Sequence, residues 1–260
     1  MADFVILRKS RNALSSLLHV IMNIALATIS ILVTWMTGSP LIGLAIVGVS
    51  KWRMFAVRPR YWELNIKSNL VDLIVGCAFI FITYCSGKTF LPVHALLIVL
   101  YSLWLVILKP KSTELATNLQ SLLAIFFGTI GLTLMSAGGN PLYMVAGSFI
   151  IGFAAARHIL VQGDDKDYNI IILAGGILAA EIAWLCHSWL IVYTFAGTGI
   201  IIPQFSIIMM IVAYIFGYAY KSIAKNEGKL KWSELGMPTA FAILVITIIV
   251  VGFSQPIFNV

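Results

Sequence analysis

The sequence predicts an all-α protein, a polytopic membrane bundle of about nine transmembrane helices in a single domain of residues 1–260. Two observations support this prediction: 60% of the residues are hydrophobic and only 10% are charged, and long apolar segments alternate with short junctions. A helix needs about 20 apolar residues to cross a hydrocarbon core of about 30 Å. A chain of 260 residues with this composition has room for many such helices and leaves none for a soluble domain.

Apolar windows bounded by turn residues place the nine spans. They cover residues 14–36, 40–57, 64–86, 90–108, 115–137, 141–161, 168–193, 199–220 and 237–253. Proline suits the first turn of a helix, where its missing N–H costs nothing, and four spans that start at uncharged junctions have one there, namely Pro40, Pro92, Pro141 and Pro203. Span 2 has only eleven residues before Lys51, so it must continue as a helix to about Val57 in order to cross.

The basic residues predict the topology. All lysines and arginines except Lys88 lie before span 1 or at every second junction, and the opposite junctions are almost uncharged. Because lysine and arginine are retained on the cytoplasmic side, we expect a cytoplasmic N-terminus and, with an odd number of spans, an external C-terminus. We expect an inner (cytoplasmic) membrane protein with anionic lipid as its partner at the basic face.

A short pattern recurs at three basic junctions, in residues 58–64, 109–115 and 229–235. It consists of a basic residue, proline or leucine, a second basic residue, two further residues and Glu-Leu. We expect the glutamate to enter the first turn of the next helix, where the positive end of the helix dipole favours it. We expect the cations to contact lipid phosphates; they are Arg58, Arg60, Lys109, Lys111, Lys229 and Lys231.

Polar residues at membrane depth form faces on three predicted spans when the sequence is projected at 100° per residue. The residues that stand out are His19 and Asn23 in span 1, Asn69 and Asp72 in span 3, and Asn118 in span 5. Hydrocarbon supplies no hydrogen-bond partners, so these faces should turn away from lipid. Two interpretations stay open: polar residues that hold helices together, or the lining of a water-accessible path.

Two carboxylates, Asp72 and Glu181, are predicted to lie at membrane depth. If span 2 continues to Val57, Lys51 and Arg53 reach a depth similar to that of Asp72, which predicts an ion pair between Asp72 and one of these cations. The alternative is that both cations extend to the headgroups while Asn69 or water caps Asp72. Glu181 lies deeper, about 20 Å along span 7, and is either a neutral carboxyl bonded to a neighbouring helix or an ion or proton site.

Small residues predict close packing of spans 6 and 7. Ser148, Gly152 and Ala156 recur at every fourth position of span 6, and Gly175 and Ala179 do so in span 7. Small side chains let helix backbones approach each other in a membrane. We therefore expect these two spans to form a tight hairpin.

Three functions remain for this composition. The histidines, cysteines and carboxylates have no metal-ligand spacing, no common catalytic motif occurs, and basic residues lie between spans rather than in a nucleic-acid-binding module. We therefore expect no metal, no cofactor, no catalytic residue and no nucleic acid.

The first hypothesis is a small-solute or ion permease that uses the polar faces and Glu181. The second is a non-enzymatic assembly subunit with a membrane-protein partner or a second copy. The third is an enzyme acting on a lipid carrier, with Asp72 as a base.

Overall fold

A computed structural model describes residues 2–87, 92–160, 168–195, 198–226 and 229–253, with side chains from Ser15 onward except that of Tyr168. These residues form nine α-helices and one two-stranded hairpin. The helices are α1 (Ala2–Thr37), α2 (Pro40–Ser50), α3 (Trp62–Cys85), α4 (Pro92–Leu103), α5 (Glu114–Ser136), α6 (Pro141–Leu160), α7 (Tyr168–His187), α8 (Gln204–Lys225) and α9 (Trp232–Thr247). The hairpin strands are β1 (Val192–Phe195) and β2 (Ile200–Pro203). Lys88 lies outside the described residues.

The all-α membrane bundle is confirmed, with fewer full-length helices than predicted. By length and composition, seven described helices can cross a membrane: Ser15–Thr37, Pro59–Cys85, Glu114–Ser136, Pro141–Leu160, Asn169–His187, Gln204–Lys225 and Trp232–Gly252. The second and fourth predicted spans correspond to shorter apolar helices, Pro40–Ser50 and Pro92–Leu108. The nine predicted spans therefore correspond to nine described helices, two of which are short.

The second span does not continue to Val57, which corrects the prediction. Helix α2 ends at Ser50, and Lys51 occupies its C-cap with φ −99° and ψ 12°. The chain then forms a 3-10 turn at Trp52–Met54 and a second one at Pro59–Tyr61. Arg58 is extended, with ψ 139°, as expected for a residue before proline. At 1.5 Å per residue, α2 is only about 16 Å long.

A proline, a side-chain cap or a first-turn glutamate marks six of the nine described helix starts, those of α2, α3, α4, α5, α6 and α9. Helices α2, α4 and α6 each begin at proline, as predicted. The Leu41 N–H donates to Ser39 Oγ over 3.4 Å, and the Leu142 N–H donates to Asn140 Oδ1 over 2.9 Å. The glutamates of the three recurring junctions, Glu63, Glu114 and Glu234, all lie in the first turn of the following helix. The recurring pattern is therefore a helix-start signal.

The seventh span is shorter than predicted because the chain leaves the helix after His187. Strands β1 and β2 pair in antiparallel fashion, from Val192 opposite Pro203 to Phe195 opposite Ile200. The β-branched residues in this segment favour a pleated ribbon. Gln204, the first residue of α8, donates from Nε2 to Tyr193 Oη over 3.1 Å and to the Ile249 carbonyl over 2.8 Å. The hairpin is thereby attached to the end of α9.

Helix α3 is the centre of the bundle and packs against α1, α2, α4, α5 and α6. Its buried side chains include Val75, Phe79 and Ile80. Phe79 stacks on Tyr101 of α4, with ring centroids 5.0 Å apart. Helix α5 approaches α3 closely at Gly131, where a Cβ atom would lie 3.0 Å from the Ala78 Cα. The core therefore encloses the part of α3 from Val71 onward, which includes buried Asp72.

Helices α6 and α7 form the tight hairpin expected from their small residues. A Cβ atom on Gly152 would lie 2.5 Å from the Ala179 Cβ and 2.7 Å from the Gly175 carbonyl oxygen. A Cβ atom on Gly175 would lie 2.9 Å from the Ala156 Cβ. The two backbones are close enough that only glycine fits at these positions.

Candidate functional site

Asp72 is a buried carboxylate, 7% exposed, with three side-chain partners. Asp72 Oδ2 accepts hydrogen bonds from Lys51 Nζ and, over 2.7 Å, from Lys109 Nζ. Asp72 Oδ1 accepts a hydrogen bond from Trp104 Nε1 over 3.0 Å. We call these four residues the Asp72 centre.

Two short helices bring their ends to this centre. Lys51 is the C-cap of α2. Helix α4 continues as a π turn over Trp104–Leu108, and its C-cap Lys109 donates its N–H to the Trp104 carbonyl over 2.8 Å. The C-terminal end of a helix carries partial negative charge and favours a cation there. Asp72 lies about 15 Å along α3 from Trp62, so it meets both lysines inside the bundle rather than at its end.

The charges of the Asp72 centre do not cancel. One carboxylate faces two ammonium groups, and Trp104 contributes no charge. Lys51 is buried, with a side chain 7% exposed, whereas the Lys109 side chain is 39% exposed. A buried ion pair of one lysine and one aspartate is neutral, so the excess positive charge falls on the more accessible Lys109.

The turn that carries Lys109 is held by Gln120 of α5 and His158 of α6. Gln120 Nε2 donates to the Leu108 carbonyl over 2.6 Å and to the Lys111 carbonyl over 3.0 Å. Gln120 Oε1 lies 2.6 Å from His158 Nε2. We call Gln120 and His158 the turn clamp. Gln120 was not predicted as a site residue, because it projects about 200° away from Asn118 around the helix, off the predicted polar face of span 5.

Replacing Gln120 with methionine is expected to lower the free energy of unfolding by about 1–3 kcal/mol, because the two carbonyls lose their donor inside the bundle. The change should also increase the reactivity of Lys109 toward an amine-specific label, since the turn is no longer held. Chemical unfolding in detergent and mass spectrometry of the labelled protein measure the two effects. Asn118→Leu, on the same helix but outside the clamp, is the control, and equal labelling in both variants contradicts the role of the clamp.

The polar faces of the predicted first, third and fifth spans do not surround one common cavity among the described residues. Helices α1 and α5 each pack on α3 and are not packed on each other. The buried hydroxyl groups of Thr34, Thr83 and Thr129 donate to carbonyls one turn earlier in their own helices. These three hydroxyl groups are therefore satisfied within their own helices.

The other predicted path residues lie apart from one another. His19 is exposed on α1 and bonds only to half-buried Asn23, with Nδ1 and Nδ2 2.9 Å apart. Asn69 donates to the Asn65 carbonyl over 2.9 Å and to Ser68, so it does not cap Asp72. Asn118 lines a groove between α5 and α8 with Leu122, Tyr214 and Lys221. These residues therefore do not converge on one route.

Glu181 also differs from its predicted place. It is exposed on α7, and no hydrogen bond or ion pair joins it to another described residue. It lies about 9 Å from the His187 end of the helix, on a face that also exposes Ile177 and Trp184. In the described structure it faces outward and lines no interior route.

The remaining basic residues lie at the surface. Arg53 is exposed and forms no ion pair within the described chain; Lys51, not Arg53, is the span 2 cation that meets Asp72. The expected phosphate contacts Arg58, Arg60, Lys111, Lys229 and Lys231 are all exposed. Arg60 lies over the Tyr61 ring, with Cζ 4.6 Å from its centroid. No group of three or more histidine, cysteine, aspartate or glutamate side chains in the described ranges could hold a metal ion.

The fold and the buried charges define the class of this chain as an integral membrane protein with a helical bundle. Comparison with protein-family models, with curated protein sequences and with solved structures finds no match.

Proposed function

We propose that the chain is a non-enzymatic assembly subunit of a cytoplasmic membrane complex, and that the outward face of α7 binds a transmembrane helix of a second protein. The main support for this proposal is Glu181. It is a carboxyl group within a helix long and apolar enough to span the membrane, and it is exposed with no partner in the described chain. Ionisable residues within transmembrane helices almost always face protein or water rather than lipid.

The energetic cost gives the reason for a partner. A charged side chain near the middle of the bilayer costs about 2.5–3.5 kcal/mol on the insertion scale. Protonation removes the charge and leaves an unsatisfied hydroxyl and carbonyl, which hydrocarbon cannot bind. The opposite face of α7 is already occupied by α6, through Gly175 and Ala179. A second helix on the Glu181 face supplies the missing hydrogen bonds.

The chemistry of that partner follows from where the cations of this chain lie. Glu181 lies about 9 Å from the end of α7 that leads to the β hairpin. The described lysines and arginines from Lys51 onward lie toward the opposite end of the bundle, with Lys51 and Lys109 reaching about 15 Å inward to Asp72. A second copy of the chain therefore brings no described lysine or arginine to the depth of Glu181. We propose a partner helix with a cation or a hydrogen-bond donor in the membrane half remote from the basic junctions.

Replacing Glu181 with leucine is expected to abolish partner binding while leaving the isolated subunit folded, since the exposed side chain forms no hydrogen bond or ion pair with a described residue. A photoreactive amino acid at Ile177 would be crosslinked in native membranes, and the adduct would be identified by mass spectrometry. We expect an adduct through a helix of the stated chemistry, reduced at least tenfold by Glu181→Leu and retained in Glu181→Gln, which keeps hydrogen-bonding capacity.

The matched control places the photoreactive residue at Phe241, an exposed residue of α9. Its adducts should not depend on Glu181. An adduct from position 177 that consists only of a second copy, or one that Glu181→Leu leaves unchanged, would contradict the proposed partner.

A permease is the second candidate, and the Asp72 centre favours it. Transporters bind ions where discontinuous helices end within the membrane, and α2 and the Trp104–Leu108 turn both end at Asp72. This candidate predicts that the protein takes up a solute or an ion in reconstituted vesicles. It also predicts that Asp72→Asn abolishes this uptake. The lipid-carrier enzyme is not proposed further, because it needs Asp72 as a base and both of its oxygens already accept hydrogen bonds.

A further inference from the structure

We infer that the Asp72 centre binds a phosphate group, presented by the headgroup of an anionic lipid, with Lys109 as the main contact. This site is independent of Glu181 and of the proposed partner helix. Three features of the described structure support it: the charge of the centre, the exposure of Lys109 and the rigidity of the turn that carries it.

The net positive charge of the Asp72 centre favours the binding of an additional anion. Asp72 neutralises one of its two lysines, and Lys51 is too deeply buried to be neutralised from outside. Among the described side chains, Asp72 is the only carboxylate that contacts Lys109. Positive charge in a partly dehydrated position attracts the phosphates of lipids at the membrane surface.

The exposure of Lys109 gives that phosphate access. Its side chain is 39% exposed although its ammonium group contacts buried Asp72. The π turn Trp104–Leu108 ends directly before it, and π turns are frequent at functional sites. A phosphate can therefore approach Lys109 from the open side without displacing Asp72.

The turn that carries Lys109 is preorganised. The turn clamp of Gln120 and His158 holds the two carbonyls that flank it, those of Leu108 and Lys111. Lys111 and Arg53 are exposed and lie two residues along the chain from Lys109 and Lys51, respectively, so they add positive charge to the same region. A preorganised cation loses less entropy on binding than a free surface lysine.

The test measures thermal unfolding of the full chain in a neutral detergent. Phosphatidylglycerol, phosphatidylcholine and inorganic phosphate are titrated separately at constant ionic strength. We expect phosphatidylglycerol alone to raise Tm, by roughly 5 °C at saturation. Lys109→Gln should weaken its apparent affinity at least tenfold, and Lys109→Arg should largely preserve it.

Lys229→Gln is the matched control, because Lys229 has the same position in the recurring junction pattern and contacts no carboxylate in the described chain. It should bind as the wild type does. Lys109→Gln is expected to fold, since the neutral pair of Lys51 and Asp72 remains. If inorganic phosphate competes with phosphatidylglycerol and raises Tm in a manner that depends on Lys109, the Asp72 centre binds phosphate, but the proposal that a lipid headgroup supplies it is overturned. Equal stabilisation by phosphatidylcholine, or equal affinity in Lys109→Gln and Lys229→Gln, overturns the site itself.

Discussion

Replacing Asp72 with asparagine is expected to lower the free energy of unfolding by about 3–5 kcal/mol, the usual cost of leaving a buried charge without its partner. The variant keeps the size of the side chain and the acceptor for Trp104. It removes the negative charge that faces Lys51 and Lys109. Lys51 suffers most, because it is buried and has no route to water. Equilibrium unfolding in mixed micelles, followed by tryptophan fluorescence, measures the loss.

A double-mutant cycle separates the ion pair from general damage. Lys51→Met removes the buried cation, so the double variant Asp72→Asn with Lys51→Met should be less destabilised than the sum of the single variants. Arg53→Gln is the matched control, since Arg53 is exposed and unpaired in the described structure; its effect should stay within about 0.5 kcal/mol. Additive effects of Asp72→Asn and Lys51→Met would show that the two side chains do not interact.

Adding a single methyl group at Gly152 is expected to destabilise the contact between α6 and α7. In Gly152→Ala the new Cβ atom meets the Ala179 Cβ and the Gly175 carbonyl, at 2.5 and 2.7 Å before any adjustment. A carbonyl belongs to the backbone, so the whole helix α7 must shift away from α6. Overpacking of this kind costs about 1–3 kcal/mol. The same unfolding measurement gives its size.

Gly48→Ala provides the control for this substitution. Gly48 also lies in a helix, and a Cβ atom there would have no neighbour within 4 Å. Alanine has a higher helix propensity than glycine, so this variant should be stabilised by up to about 1 kcal/mol. If Gly152→Ala behaves like Gly48→Ala, the close contact of α6 and α7 is not a stabilising feature of the protein.

Composition and local signals were sufficient to predict much of the fold. The apolar segments predicted the membrane bundle, the prolines marked the starts of α2, α4 and α6, and the small residues predicted the α6/α7 hairpin. These signals are local, because a cap or a close helix contact depends on a few residues. The same reasoning overestimated the second span, because it assumed that this segment crosses the full bilayer, whereas α2 ends at Ser50.

The candidate site was only partly predictable for a related reason. The depth argument brought Asp72 and Lys51 together by assuming a longer helix than the one that forms. It left out Lys109 and Trp104, which reach Asp72 only because α4 packs against α3. The orientation of Glu181 depends on which face of α7 the small residues bury. The contacts of Lys109 and Trp104 and the orientation of Glu181 depend on tertiary packing, which cannot be predicted from a single sequence.

The short length of α2 has a consequence for the lipid around the protein. Helix α2 is about 16 Å long against a hydrocarbon core of about 30 Å, yet Leu41 and Val49, near its two ends, are 72% and 71% exposed. Lipid beside this helix must thin to match it or leave its polar end in hydrocarbon, which is hydrophobic mismatch. Because the seven longer described helices match a full bilayer, we expect the lipid to thin only locally, next to Lys51.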